Sequence, residues 1–153
     1  MKKKSFKLDN LAYTKNLALS LAAGLKASDI VTFTGDLGAG KTTFCKFIIQ
    51  ALIGENTYVT SPTFNIVQLY SGKEFVIYHF DLYRLKHPHE IYDLAIDDAW
   101  RDGICLIEWP EIVENILPKS RIDIELSFGE EETERVCTIK SNQPNNLLES
   151  LAI

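Results

Sequence analysis

No apolar run in this chain of 153 residues is long enough to cross a membrane. The stretch Leu17 to Leu25, behind Lys2-Lys3-Lys4, has the outline of a short signal peptide, but Asp9, Asn10, Lys15 and Asn16 interrupt it. The expectation is a mature, soluble, cytoplasmic protein. A basic field is also missing: the net charge is −5, which speaks against a stand-alone nucleic-acid binder. Lys2-Lys3-Lys4 is the one basic run and reads as a frayed, solvated terminus. Cysteine is scarce. Cys45, Cys105 and Cys137 have no metal-ligand spacing and cannot all pair, so buried free thiols in a reducing compartment are expected. No repeat or linker divides residues 1–153, which read as a single domain of ordinary globular composition, 46% hydrophobic and 24% charged.

What the chain does have is concentrated between Ile30 and Ile49. A β-branched apolar run, Ile30 to Thr34, predicts a buried strand, and Phe44, Phe47 and Ile48 begin a helical periodicity. Between them, Gly35-Asp36-Leu37-Gly38-Ala39-Gly40-Lys41-Thr42 matches G-x-x-x-x-G-K-[ST] in full. Glycines let such a loop curl so that its N–H groups converge on an anion. A helix starting at Lys41 adds its unpaired amides and partial positive charge. Lys41 is then placed to reach the β- and γ-phosphates, and the Thr42 hydroxyl to ligate Mg²⁺.

The rest of the chain frames that loop. Ser5 to Leu8 predicts a short edge strand, Asp9 an N-cap, and Leu17, Ala18, Leu21, Ala22 and Leu25 the apolar face of a helix. The helix after Lys41 should stop at Gly54. Phe64 to Tyr70 and Glu74 to Phe80 read as an antiparallel hairpin. Pro88 opens a helix with Ile91, Leu94 and Ala95 facing inward, and Ile104 to Ile107 is a fully buried strand. A short helix, Glu111 to Ile116, follows. Arg121 to Phe128 and Glu134 to Lys140 alternate as a second hairpin, and the tail after Pro144 is a short helix or disordered.

Ligands of open α/β sheets bind outside the carboxyl ends of the parallel strands. Glu108 stands at such an end, where phosphate-loop enzymes keep an acid for Mg²⁺; the plain alternative is a surface carboxylate. Asp81 ends another strand and either serves the metal shell or an attacking water, or starts a turn and pairs with Arg84. Alternation puts His79 on the face of Asp81, although a lone strand histidine reads first as a core residue. Ser61-Pro62-Thr63 is either a loop that senses a γ-phosphate through a hydroxyl or an ordinary proline turn. Trp109 is open to either reading, partner anchor or buried ring.

Four blocks, Gly-Asp-Leu-Gly-Ala-Gly-Lys-Thr-Thr-Phe at 35–44, Ser-Pro-Thr-Phe at 61–64, His-Phe-Asp-Leu-Tyr-Arg-Leu at 79–85 and Glu-Trp-Pro-Glu at 108–111, closely resemble the bacterial TsaE (YjeE) family. The likeness covers essentially the whole chain. It implies a small ATPase required for N6-threonylcarbamoyladenosine in tRNA, with ATP and Mg²⁺ as cofactors. Its partners would be a TsaD-type transferase and a TsaB-type companion, through which it would reach tRNA. The candidate catalytic residues are Lys41, Asp81 and Glu108, and the metal ligands Thr42 and Glu108. The nucleotide-binding set is Asp36, Gly38, Ala39, Gly40, Lys41, Thr42 and Thr43, with Thr63 in the switch-like loop. The resemblance further implies adenine contacts from Leu11 and Arg135.

The expected fold is α/β, a P-loop NTPase fold: a mixed sheet with a parallel centre and antiparallel hairpin additions, helices on both faces. Besides a regulatory ATPase, three functions compete. A nucleoside-type P-loop kinase would need an Arg-rich lid, and Pro110 to Arg121 holds only Lys119 and Arg121. A GTPase would carry an Asn-Lys-x-Asp element, which is lacking. A scaffold that binds nucleotide without hydrolysing it is not distinguished by sequence.

Overall fold

The structure, a computed structural model, describes Met1–Ile153. One seven-stranded sheet runs through it. In chain order the elements are β1 (Lys2–Leu8), α1 (Leu11–Gly24), β2 (Ile30–Thr34), α2 (Lys41–Ile53), β3 (Val67–Ser71), β4 (Val76–Asp81), α3 (Ile96–Asp102), β5 (Ile104–Glu108), β6 (Ile122–Phe128), β7 (Arg135–Ser141) and α4 (Leu147–Ser150). Short 3-10 segments at Pro88–Leu94 and Pro110–Val113 precede α3 and follow β5.

The strand order is β1-β7-β6-β2-β5-β4-β3. β6, β2, β5 and β4 are mutually parallel, while β1–β7, β7–β6 and β4–β3 are antiparallel. The expected architecture is therefore the observed one. β2 and β5 lie at its centre because their unbroken apolar runs can be buried on both faces. On one face α1, α2 and α4 enclose Leu17, Leu21, Phe33, Phe44 and Ile48; on the other, the 3-10 segments and α3 enclose Phe80, Ile91, Ile96, Ile107 and Val113. No helix is long and apolar enough to cross a membrane.

Several local expectations are corrected. Asn10, not Asp9, caps α1, its side chain accepting from the amides of Ala12 and Tyr13 at 3.0 and 3.2 Å. Lys2-Lys3-Lys4 is not frayed: it pairs with Ser141, Lys140 and Ile139 of β7. Lys4 Nζ also donates to the carbonyls of Leu148 and Leu151, tying α4 to the sheet. β3 starts at Val67 rather than Phe64, because Ile66 turns the chain at φ 68°. Ala95 is exposed, at φ 59°, and splits the expected helix; Ile96 and Ala99 are buried in its place. The helix expected at Glu111–Ile116 is only the 3-10 turn at Pro110–Val113. Of the two alternatives for the tail the short helix is the observed one, α4, with Leu147, Leu148 and Leu151 buried.

Candidate functional site

Between β2 and α2 the chain must reverse tightly, and it does so on glycines at positive φ: 145° at Gly35, 82° at Gly38 and 107° at Gly40. Gly35 is also a close approach, since a Cβ there would lie 2.3 Å from the Leu126 carbonyl oxygen. At Gly38 and Gly40 a Cβ would meet nothing within 4 Å, so their smoothness keeps a concavity open. Gly40 precedes α2 without a side-chain cap, leaving the first-turn amides to serve an anion.

Lys41, the first residue of α2, folds back over this loop. Its Nζ donates to the carbonyl of Gly35 and, at 3.0 Å, to that of Asp36. The Trp109 ring covers it, its centre 4.0 Å from the nitrogen. Burial lowers the Lys41 pKa; the carboxylates of Glu108, Glu111, Asp81 and Asp36 oppose that shift without cancelling it. Trp109 reaches this position because the chain leaves β5 in the left-handed conformation, φ 55°. Its ring packs against Tyr83 at 4.9 Å.

One turn of α2 faces the ends of β4 and β5. The Thr42 hydroxyl donates to Glu108 Oε1 at 2.7 Å. The other oxygen of that carboxylate, Oε2, lies 2.7 Å from His79 Nε2. Asp81 is paired with Glu108 across β4 and β5. Its Oδ1 accepts from the Tyr83 amide at 3.1 Å, and its Oδ2 from the Thr63 hydroxyl at 3.3 Å. Thr63 is in turn 2.6 Å from the Ser61 hydroxyl. Arg84 does not pair with Asp81 but lies 4.6 Å over the Phe64 ring.

Two cavities meet at the loop, both bordered by Gly38, Gly40 and Thr43. One, about 310 Å³, holds the Lys41–Thr42–Glu108–Asp81 groups with Thr63 and Trp109. The other, about 480 Å³, runs beside Asn10, Leu11, Ala39 and Arg135. Arg135 walls it by donating to the Ala39 carbonyl at 3.1 Å, its guanidinium 4.7 Å over Phe128. Asp36 contributes through its backbone carbonyl, its side chain being exposed. Every candidate residue read from the sequence thus borders one of the two cavities or the loop between them.

The oxygens of Thr42 and Glu108 are hard donors of the kind Mg²⁺ takes, and Asp81 lines the same cavity. Behind them, ligand atoms of Cys45, His79 and Glu108 lie within 4.8 Å of one another, a proximity that sequence spacing did not reveal. Burial raises the Cys45 pKa well above its ordinary value, holding it as a thiol, whereas thiolate is the metal-binding form. Two contacts went unread in the sequence: Trp109 over Lys41, and His79 on Glu108. Alternation had put His79 on the correct face, but only the β4–β5 register brings it to Glu108.

Residues 8–137 match the family model of the threonylcarbamoyl adenosine biosynthesis protein TsaE. The chain belongs to the TsaE family. A relative from Rickettsia felis named tRNA threonylcarbamoyladenosine biosynthesis protein TsaE is 48% identical over 141 residues, which cover 92% of this chain and 82% of the relative. One of the same name from Bacillus subtilis is 38% identical over 154 residues, covering 99% and 96%. The crystal structure of Bacillus subtilis YdiB matches with a TM-score of 0.75 at 33% identity, over 92% of this chain and 86% of that one. The fold is P-loop NTPase-like. The four TsaE-type blocks converge on one sheet edge: the β2–α2 loop, the segment before β3, and the ends of β4 and β5.

Proposed function

We propose that the chain is a slow Mg²⁺-dependent ATPase in the biosynthesis of tRNA threonylcarbamoyladenosine. It would act on a TsaD- and TsaB-type transferase assembly and reach tRNA only through those partners. The observation that carries the reading is the meeting of Lys41 and the Thr42–Glu108 pair at a glycine loop, in a chain of the TsaE family.

Each residue then has a task. The loop amides and the start of α2 receive the β-phosphate. Lys41 exchanges the Gly35 and Asp36 carbonyls for phosphate oxygens, which as anions are stronger acceptors. Leu11 and Arg135 line the space for the nucleoside. Thr42 and Glu108 would hold Mg²⁺, which when bound draws charge from the β- and γ-oxygens. Asp81, steadied by the Tyr83 amide on Oδ1, orients water toward the γ-phosphorus. Attack forms the new P–O bond and breaks the bond to the β–γ bridging oxygen; the water's proton leaves to solvent, and ADP and phosphate are released. In the ATP state the Thr63 hydroxyl would exchange Asp81 Oδ2 for a γ-phosphate oxygen; loss of the γ-phosphate returns it to Asp81, so the Ser61–Thr63 segment shifts and affinity for the transferase assembly changes.

A nucleoside kinase is disfavoured, because Arg121 is committed to Asp123 and Glu114 and cannot serve as a lid. The deciding experiment is ATP turnover by the purified chain, alone and with the transferase pair and tRNA. Free phosphate released faster with the pair is expected. Phosphate appearing on an added nucleoside, indifferent to the pair, would overturn the proposal.

A further inference from the structure

We infer that His79 is the positioning residue for the Glu108 carboxylate, holding Oε2 so that Oε1 alone faces Thr42 and the cation. The inference rests on the reading of Glu108 as a metal ligand. On β4, alternation turns Ile77, His79 and Asp81 toward α2, and the parallel register sets His79 opposite Leu106 and Asp81 opposite Glu108. His79 therefore sits one pleat behind the carboxylate. The ring is fully buried, and its single polar contact is the 2.7 Å approach of Nε2 to Glu108 Oε2. Nδ1 has no partner at all. A carboxylate only accepts, so the proton of this pair is on Nε2.

Packing alone does not account for a histidine here. The positions around it on this face are Ile77 and Asp81 on β4, Leu106 on β5 and the half-buried Gln68 on β3, yet the ring bonds neither Asp81 nor Gln68, and an apolar residue would fill the same space without leaving a ring nitrogen unpartnered. The geometry supplies another reason. A glutamate carries one more side-chain torsion than an aspartate, and its carboxylate plane rotates broadly about the last one. The Thr42 hydroxyl restrains one oxygen, and a single bond leaves that plane free to turn. A second bond, on the other oxygen and from a different element, β4, fixes both the plane and the oxygen presented to the metal. Groups that orient metal ligands in this way typically govern metal affinity about 10- to 100-fold.

The test is Mn²⁺ binding to the ADP complex, read by the electron paramagnetic resonance of free Mn²⁺, beside ADP affinity without metal. His79→Leu should weaken Mn²⁺ binding about 10-fold or more, while metal-free ADP affinity stays as in the wild type. His79→Gln, whose side-chain amide can replace the Nε2 donor, should restore most of the loss. In a Glu108→Ala background, His79→Leu should have no further effect, because the two residues act as one unit. Unchanged Mn²⁺ affinity in His79→Leu, or a loss that persists without Glu108, would overturn the inference and leave His79 a packing residue. If leucine prevents folding, His79→Asn, whose amide is too short to reach Glu108, takes its place with the same expected loss. A Glu108→Ala protein that binds Mn²⁺ like the wild type would instead refute the metal-ligand reading beneath it.

Discussion

The Lys41 ammonium lies 4.0 Å from the centre of the Trp109 ring while it donates to the carbonyls of Gly35 and Asp36. A phosphate entering the loop must draw Lys41 off those carbonyls, so the surroundings of the indole change with it. Trp109 emission should therefore respond to ADP. Trp100, on α3 against the opposite core, should not. Trp109→Phe is expected to abolish the response and Trp100→Phe to keep it; a response that survives Trp109→Phe would place the nucleotide elsewhere.

Holding charge on the same lysine costs stability. Burial lowers its folded pKa below the ordinary lysine value, so the unfolded chain binds the proton more tightly. Stability of the wild type should rise with pH between the lowered folded value and the ordinary one, as the buried ammonium loses its charge. Lys41→Met should be more stable at pH 7 by about 1 kcal/mol, a usual size when a residue kept for function is removed. That gain should shrink toward pH 10. Urea denaturation at the two pH values measures both; a Met variant less stable at pH 7 would contradict it.

The central strands and α2 were legible because their signals are local. β2 and β5 are unbroken apolar runs, and glycines flank α2 at positions 40 and 54. What stayed hidden depends on partners far along the chain or on backbone conformations without a residue signature. Three lysines make a poor strand alone, yet β7 supplies a ladder for β1. Asp9 and Asn10 are both good caps, and the length of β1 decides between them. Ala95, Ile66 and Trp109 adopt positive φ where no glycine marks the turn. The residues of the candidate site were readable as types, but the contact of His79 with Glu108 required the register of two strands.

Gly35 and Gly38 should fail in different ways. At Gly35 a Cβ would collide with the Leu126 carbonyl, and β6 cannot move aside without breaking its pairing with β2. Gly35→Ala is expected to lose about 3 kcal/mol or more of stability. Gly38→Ala meets no neighbour and suffers only the strain of positive φ, about 1–2 kcal/mol. Its methyl group borders the cradle, so ADP affinity should fall in a protein that still folds. Thermal denaturation beside calorimetric ADP titration separates the two; equal stability losses would deny the Leu126 contact its role.

All three cysteines are buried and free. Burial pushes Cys105 and Cys137 up to about 12 and Cys45 well above its ordinary value. At pH 8 a thiol titrating near 12 is only about 0.01% thiolate. Iodoacetamide should modify none of them in the folded chain and all three in denaturant. Mass spectrometry reads the count, and rapid native labelling of Cys45 would show that the space behind Glu108 is open to solvent.

Removing Lys41 and removing Glu108 should separate binding from turnover. On the proposed reading Lys41 offers a charged donor to the phosphates with or without metal, so Lys41→Ala should weaken ADP binding by about 1.5–3 kcal/mol under both conditions. Glu108 is an anion near the phosphates, and on its own it would repel them; its benefit arises only with Mg²⁺ between them. Glu108→Ala should therefore bind ADP without Mg²⁺ at least as well as the wild type, gain little when Mg²⁺ is added, and lose turnover about 100-fold or more. Calorimetry with and without Mg²⁺, beside phosphate release, distinguishes the two variants. Wild-type turnover in Glu108→Ala would move the metal to Asp81 and leave the Thr42–Glu108 bond a structural latch between α2 and β5.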